Sequence, residues 1–187
     1  MDGTLTVAVH DFSAIRKALA IPETEDILTH LAHLPEPEAR KKHAWLENHE
    51  KRLAEISRPA PGAVRLVKTL HERGCRLAIL TRTTQQLAFL TLQTIGLKNC
   101  FNPEFIWGRD EAPPKPRPDG LHRIAAAWRT PPESLIMAGD HWHDLKCARE
   151  AGTYSIQINS RGNLWPELTD FYAPDCITLQ KAVSDPV

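Results

Sequence analysis

The residues of this chain best suited to chemistry are carboxylates, hydroxyls and one lysine, most of them placed just after short apolar runs. Carboxylates can hold Mg²⁺ or act as nucleophile, acid and base, hydroxyls can donate to phosphate oxygens, and a lysine can offset negative charge. Phosphoryl transfer requires these parts. The set consists of Asp2, Thr4, Thr81, Lys115, Asp140 and Asp144.

Each member of this set also has an ordinary structural explanation. A threonine at a strand end often caps the next helix, and a lysine between prolines is usually a solvated surface residue. Asp140 and Asp144 could cap the helix that follows them, and Asp2-Gly3-Thr4 could be a disordered terminus. The joint occurrence of these residues in one order favours the catalytic interpretation.

The elements that position these residues change in character near residue 62. Residues 7–60 have apolar side chains at helical spacing, and a Pro59-Ala-Pro61-Gly62 linker closes the region. After it, helical patterns alternate with short apolar runs, which predicts a mostly parallel sheet with helices on both faces. We predict strands at 76–80, 104–107, 135–138 and 154–158, and helices at 63–74, 84–95, 119–128 and 144–151.

Ligands of such sheets bind beyond the carboxyl ends of the strands. Thr81 directly follows the predicted strand at 76–80, and Asp140 follows the strand at 135–138. Lys115 lies in a proline-stiffened loop between them. We therefore expect these three side chains to meet at one edge of the sheet.

Composition and charge argue against several classes of function. The 187 residues include 23 lysines and arginines and 23 aspartates and glutamates, so no global field favours nucleic acid or an anionic membrane. The sequence contains neither a long apolar run nor a signal-peptide pattern, which favours a cytoplasmic protein that does not enter a membrane. The 4 cysteines are widely spaced, which favours buried free thiols over a disulfide framework or metal site.

Taken in order, these motifs resemble those of the haloacid dehalogenase-like hydrolase superfamily, whose phosphatases use Mg²⁺ and an aspartyl-phosphate. The family motifs are D-x-D-G-T-[LV], a Thr or Ser ending an apolar strand, the lysine of K-P-x-P, and G-D-x-x-x-D. The corresponding segments here are M-D-G-T-L-T from Met1, L-A-I-L-T ending at Thr81, K-P-R-P from Lys115 and G-D-H-W-H-D from Gly139. A helical cap after the first motif is another family feature, and the set most resembles the phosphoglycolate-phosphatase-like branch.

The resemblance implies an α/β fold, a Rossmann-like doubly wound parallel sheet with a small helical cap. Residues 1–6 and 62–187 would form the core and residues 7–61 the cap. In the family, the first aspartate of D-x-D is the nucleophile and ends a central strand. Met1 occupies the x position, so we expect a truncated start that omits both the nucleophile and this first core strand.

The resemblance also implies the acid, base and metal chemistry of the complete protein. Asp2 would protonate the leaving oxygen, activate the attacking water, and offer its backbone carbonyl to Mg²⁺. Asp140 would be the side-chain ligand of Mg²⁺, and Asp144 would orient it or hold a metal-bound water. Dehalogenases of the superfamily lack the acid at the position of Asp2, which favours hydrolysis of phosphate esters.

The remaining roles concern the substrate. By the same resemblance, Thr81 would donate a hydrogen bond to a phosphate oxygen and Lys115 would offset charge on phosphate and nucleophile. Small caps enclose small ligands, so we expect a small phosphorylated metabolite, such as a hydroxy acid or sugar phosphate. The predicted substrate-binding residues are Gly3, Thr4 and Arg82, and the candidates for a second anionic group are Arg16, Lys17, Arg82 and Arg117.

Two alternatives stay open at this point. His141 and His143 could form a transition-metal site, although such residues are more often substrate-facing or solvated. The chain could also be a non-catalytic phosphate-binding or interaction protein on the same scaffold. The sequence does not choose the phosphate ester or the oligomeric state.

Overall fold

A computed structural model of the chain describes residues 1–184 as alternating helices and short parallel strands. The strands are β1 (Ile79–Leu80), β2 (Ile106–Trp107), β3 (Ile136–Gly139), β4 (Tyr154–Ile158) and β5 (Phe171–Ala173). The helices are α1 (Phe12–Ala18), α2 (Ile27–Ala32), α3 (Glu36–Glu55), α4 (Ala63–Glu72), α5 (Gln85–Thr94), α6 (Asp119–Trp128), α7 (Trp142–Ala151) and α8 (Cys176–Ser184). The predicted α/β class is therefore confirmed.

The strands form two parallel sheets. One contains β1 and β2, with Ile79 opposite Ile106, and the other has the order β3-β4-β5. Within residues 1–184, no ladder joins β1 to β3. Leu5 packs against the apolar clusters of both sheets, so the N-terminal segment lies between them.

The predicted strand at 76–80 is shorter than expected, since only Ile79 and Leu80 form a ladder. Their partner β2 is equally short because a 3₁₀ turn occupies Pro103–Phe105 immediately before it. An apolar run becomes a strand only as far as a neighbouring backbone accepts its hydrogen bonds. The run at 76–78 has no such ladder among the described residues.

The helical region at 7–60 has an apolar cluster of its own. α1, α2 and α3 contribute Ile15, Ile27, Leu31 and Leu46, all buried, while α3 also packs against α5. Two adjacent connections join this region to the rest of the chain, because Val7 N–H donates to the Arg58 carbonyl and Ala60 N–H to the Leu5 carbonyl.

Helices outside the region at 7–60 cover the strands. α7 packs on β3 and β4, and α4 packs on α8. Cys147 and Cys176 are buried, as expected for apolar thiols, but Cys75 is exposed, so the expectation of buried thiols is wrong there. None of the helices in residues 1–184 is long and apolar enough to cross a membrane.

Candidate active site

The predicted site residues gather around one cavity of about 400 Å³ between the strand ends and the helices α1 to α3. Two of the predicted residues, Gly3 and Thr4, do not line the cavity, but the Thr4 hydroxyl donates to Asp140, which does. The residues of the predicted set that line the cavity are Asp2, Thr81, Arg82, Lys115, Asp140 and Asp144.

Lys115 and Asp144 form a buried ion pair. The Lys115 side chain is 4% exposed and that of Asp144 8%, and their Nζ and Oδ1 atoms are 2.6 Å apart. Lys115 also donates to the Leu80 carbonyl at 2.6 Å, which ties the loop to the end of β1. Burial alone would raise the pKa of Asp144, but the Lys115 ammonium outweighs it and holds that pKa below its usual value.

The ordinary structural explanation fails for Lys115 and holds in part for Asp144. Lys115 is not a solvated surface residue, because its whole side chain is buried. Asp144 does act as a helix cap, since its Oδ2 accepts from the His141 backbone N–H at 3.2 Å. One carboxylate therefore caps α7 and pairs with the lysine.

Asp140 contacts the turn at the start of the chain. Its Oδ1 accepts from the Thr4 hydroxyl at 2.7 Å. Gly3 has φ of +72°, and a Cβ at this position would lie 2.1 Å from Asp140 Oδ2, so glycine is required for both reasons. Burial raises the pKa of Asp140, and the nearby Met1 α-amino group and the Thr4 hydroxyl only partly offset this.

The Asp2 carboxylate is held by two side chains close to it in the sequence. Its Oδ1 accepts from the Thr6 hydroxyl at 3.0 Å, and its Oδ2 lies 2.7 Å from His10 Nδ1. Burial raises the pKa of Asp2, but hydrogen bonding to His10 and Thr6 outweighs it and leaves the pKa below its usual value. His10 was not predicted, because it lies outside every motif and carries no periodic signal.

Thr81 lies at the end of β1 and is buried. It does not cap α5, because Thr84 is the N-cap of that helix, so the capping alternative fails for Thr81. Arg82 donates to the Lys115 carbonyl and pairs with Asp26, the N-cap of α2. Its guanidinium thus joins the helical region to the loop of Lys115.

A second ion pair, which was not predicted, also joins the helical region at 7–60 to the rest of the chain. Glu50 of α3 accepts two hydrogen bonds from Arg109 Nη1, at 2.9 and 3.0 Å. The two side chains are 12% and 9% exposed. Burial raises the pKa of Glu50, and Arg109 offsets this only in part. The sequence could not reveal the pair because its partners are far apart in the chain.

Replacing Glu50 by glutamine should lower the free energy of unfolding by about 3 kcal/mol, because it leaves the Arg109 guanidinium buried without a counter-charge. Glu36→Gln is the matched control on the same helix. It breaks an exposed pair with Arg40 and should cost less than about 0.5 kcal/mol. Urea unfolding of both variants measures the difference, and equal small losses would show that the Glu50 pair does not fasten α3.

The remaining candidates are the histidines of the fourth motif and the basic residues predicted to meet a second anionic group. The His141 and His143 rings stack with centroids 4.6 Å apart, and burial, with smaller contributions from Arg82 and His141, lowers the pKa of His143 to about 4. Arg117 pairs with Asp119 at the surface and does not line the cavity. The two candidates in the helical region differ, because Arg16 lines the cavity, whereas Lys17 is exposed and does not.

Comparison with known proteins identifies the family. A model described as a haloacid dehalogenase-like hydrolase matches residues 1–152. The chain belongs to the haloacid dehalogenase-like hydrolases.

The similarity to individual relatives covers most of this haloacid dehalogenase-like chain. An uncharacterized hydrolase of Saccharomyces cerevisiae is 30% identical over 166 residues, which cover 87% of this chain and 76% of the relative. A phosphoglycolate phosphatase of Vibrio cholerae is 27% identical over 154 residues, covering 80% of this chain and 67% of that enzyme. The predicted resemblance to the phosphoglycolate-phosphatase-like branch is confirmed.

Solved structures support the fold. A hydrolase from Pseudomonas syringae superposes with a TM-score of 0.76 at 24% identity, covering 97% of this chain and 94% of that one. A family hydrolase from Deinococcus radiodurans, with bound phosphate and sodium, gives 0.71 at 16% identity and covers 98% and 92%. The predicted Rossmann-like arrangement is therefore confirmed.

The donor set of this family member suits Mg²⁺. Mg²⁺ prefers oxygen ligands and is usually bound by one or two protein carboxylates and several waters. Asp140 offers a buried carboxylate whose charge burial disfavours, which a nearby cation would offset. Within the described residues, no three His, Cys, Asp or Glu side chains are grouped to hold a metal, so His141 and His143 lack the further ligand that a zinc site needs.

Proposed function

We propose that this protein is a Mg²⁺-dependent phosphatase that hydrolyses small phosphate esters through an aspartyl-phosphate. The observation that carries this proposal is the convergence of a cation, a hydroxyl and three carboxylates on one cavity at the strand ends. Relatives named phosphoglycolate phosphatase and pyrophosphatase support phosphate as the reacting group. A small phosphorylated metabolite as substrate and a cytoplasmic location form part of the proposal.

Asp2 is the proposed acid and base. Its hydrogen bonds favour the ionised carboxylate, the form that accepts a proton from the attacking water. To protonate the leaving oxygen first, Asp2 must take up a proton, which an approaching phosphate dianion favours. His10 fixes the orientation of the Asp2 carboxylate during both transfers.

Thr81 and Lys115 are the proposed phosphate-binding groups. The Thr81 hydroxyl donates to a phosphate oxygen, and the Lys115 ammonium offsets charge that develops there. The buried ion pair with Asp144 holds Lys115 in place. Mg²⁺, held by the Asp140 side chain and the Asp2 backbone carbonyl, would supply further positive charge to the phosphate oxygens.

The proposed reaction needs a nucleophilic carboxylate directly ahead of Met1, where the family motif has its first aspartate. The sheet supports this requirement, because β1 and β3 each lack a partner on one edge among the described residues. A strand paired at that position would end beside Met1, which lines the cavity.

Residues 7–61 are the proposed cap, and residues 1–6 and 62–187 the core. The separate apolar cluster of α1 to α3 and the paired connections at Val7 and Ala60 support this division. The pairs of Arg82 with Asp26 and of Arg109 with Glu50 would hold the cap over the strand ends.

Adding the required carboxylate should create activity. We define the extended protein as the 187-residue chain preceded by a designed apolar strand that ends in Phe-Asp. It should hydrolyse p-nitrophenyl phosphate only with Mg²⁺, whereas the 187-residue chain should stay at background because it lacks the nucleophile. Release of p-nitrophenol measures both.

The control is the same extension ending in Phe-Asn, which preserves the strand and removes the nucleophile. It should be inactive. If the extended protein stays folded but inactive with Mg²⁺, the proposed function is wrong, and the non-catalytic phosphate-binding alternative is favoured.

A further inference from the structure

The wall of the cavity that faces the strand ends is largely apolar. Helices α1 to α3 and α5 supply it, while the charged groups of the proposed phosphate site lie at the opposite end. Phe12 is 52% exposed although it lines the cavity, so a large apolar ring remains available for contact. The apolar side chains of this wall are Phe12, Ile15, Ile27, Leu28, Leu46, Leu53, Ala54 and Leu87.

The hydroxyls of this wall already donate within the protein. Ser57 donates to the Leu53 carbonyl and Thr91 to the Leu87 carbonyl, both at 2.9 Å. A sugar or hydroxy acid carries several hydroxyls whose hydrogen bonds with water must be replaced on binding. The wall offers little to replace them.

The charges of the wall are largely neutralised. Asp26 is paired with Arg82, and Glu50 with Arg109. A second anionic group on a substrate would approach both carboxylates, whose arginine partners are already engaged. Arg16 also lines the cavity, and its Nε donates to the Glu25 carbonyl at 3.1 Å.

We propose that the cavity selects phosphate esters with an uncharged, apolar leaving group, such as an aryl or branched alkyl group. This inference rests on the proposed function for the phosphate end and differs from the expectation of a hydroxy acid or sugar. The apolar body would lie against Phe12 and Leu53, and its transfer from water would supply the selectivity.

Binding of phosphonates to the 187-residue chain tests the inference without requiring turnover. With Mg²⁺ present, phenylphosphonate should bind at least about tenfold more tightly than methylphosphonate, because the ring is buried against the wall. Phosphonoacetate, which carries a second anionic group, should bind no more tightly than methylphosphonate. Calorimetric titration gives the three dissociation constants.

Two changes to asparagine near the end of α3, one inside the wall and one outside it, locate the effect. Leu53→Asn places an amide in the wall and should reduce the advantage of phenylphosphonate to about twofold or less. Ile56→Asn changes an exposed side chain near the end of α3 that does not line the cavity, and should leave the ranking intact. Leu28→Ser is the second wall variant if Leu53→Asn unfolds.

Equal binding of the phenyl and methyl compounds, tighter binding of phosphonoacetate, or no binding of any phosphonate would overturn the inference. The proposed function fails separately. It fails if the folded extended protein hydrolyses no ester, and a preference for phenylphosphonate would then still establish the apolar cavity.

Discussion

Replacing Lys115 by methionine will lower the free energy of unfolding by about 3 to 5 kcal/mol and abolish phosphate binding. The loss of stability arises because Asp144 stays buried without its counter-charge. The loss of binding arises because the ammonium at the strand ends no longer attracts the anion. Urea unfolding and titration with inorganic phosphate measure the two effects.

Two further variants separate these effects. Lys146→Met breaks a more exposed pair with Glu150 on α7 and should cost less than about 1 kcal/mol. The double variant Lys115→Met with Asp144→Leu should regain most of the stability but none of the phosphate binding. Phosphate binding by the folded double variant would show that Lys115 does not belong to the phosphate site.

Asp140→Asn and Asp2→Asn should have very unequal effects on the affinity for Mg²⁺. Asp140→Asn should weaken Mg²⁺ binding more than about 100-fold, because it removes the proposed side-chain ligand. Asp2→Asn should leave the affinity within about threefold, because the proposed ligand there is the backbone carbonyl. In the extended protein it should still lower turnover by about 100-fold or more, through loss of the acid and base.

Calorimetric titration of Mg²⁺ into the two folded variants distinguishes these roles. Asp119→Asn is the control, since this aspartate pairs with Arg117 near the surface and should not affect the metal. Equal losses of Mg²⁺ affinity in the Asp2 and Asp140 variants would contradict the proposed division between acid and ligand.

Much of the fold could be predicted because its signals are local. α6 and β4 have the predicted bounds, and α5 differs from its prediction by one residue at each end. Such elements carry apolar side chains at regular spacing and end at glycine or a capping residue. The strand at 76–80 is shorter than predicted because a ladder depends on a partner elsewhere in the chain. β5 and α8 were not predicted, and for β5 the reason is that the run at 171–173 is too short to show a period.

The candidate site was also predictable only in part. The motif residues could be predicted because the strand ends of a parallel sheet converge, and the cavity includes Thr81, Lys115 and Asp140 as expected. The partners that hold these motif residues could not be predicted. His10 beside Asp2 and Asp26 beside Arg82 depend on where a helical region settles over the sheet. The predicted substrate contact by Arg82 stays a proposal, but its guanidinium is already engaged.

The mass of the acid-quenched extended protein after mixing with Mg²⁺ and p-nitrophenyl phosphate tests the central claim most directly. The account predicts a mass increase of one phosphoryl group, located by peptide mapping on the aspartate directly ahead of Met1 and absent from the Phe-Asn control. Hydrolysis that proceeds at the same rate in that control, or a phosphoryl group on another residue, would contradict the account.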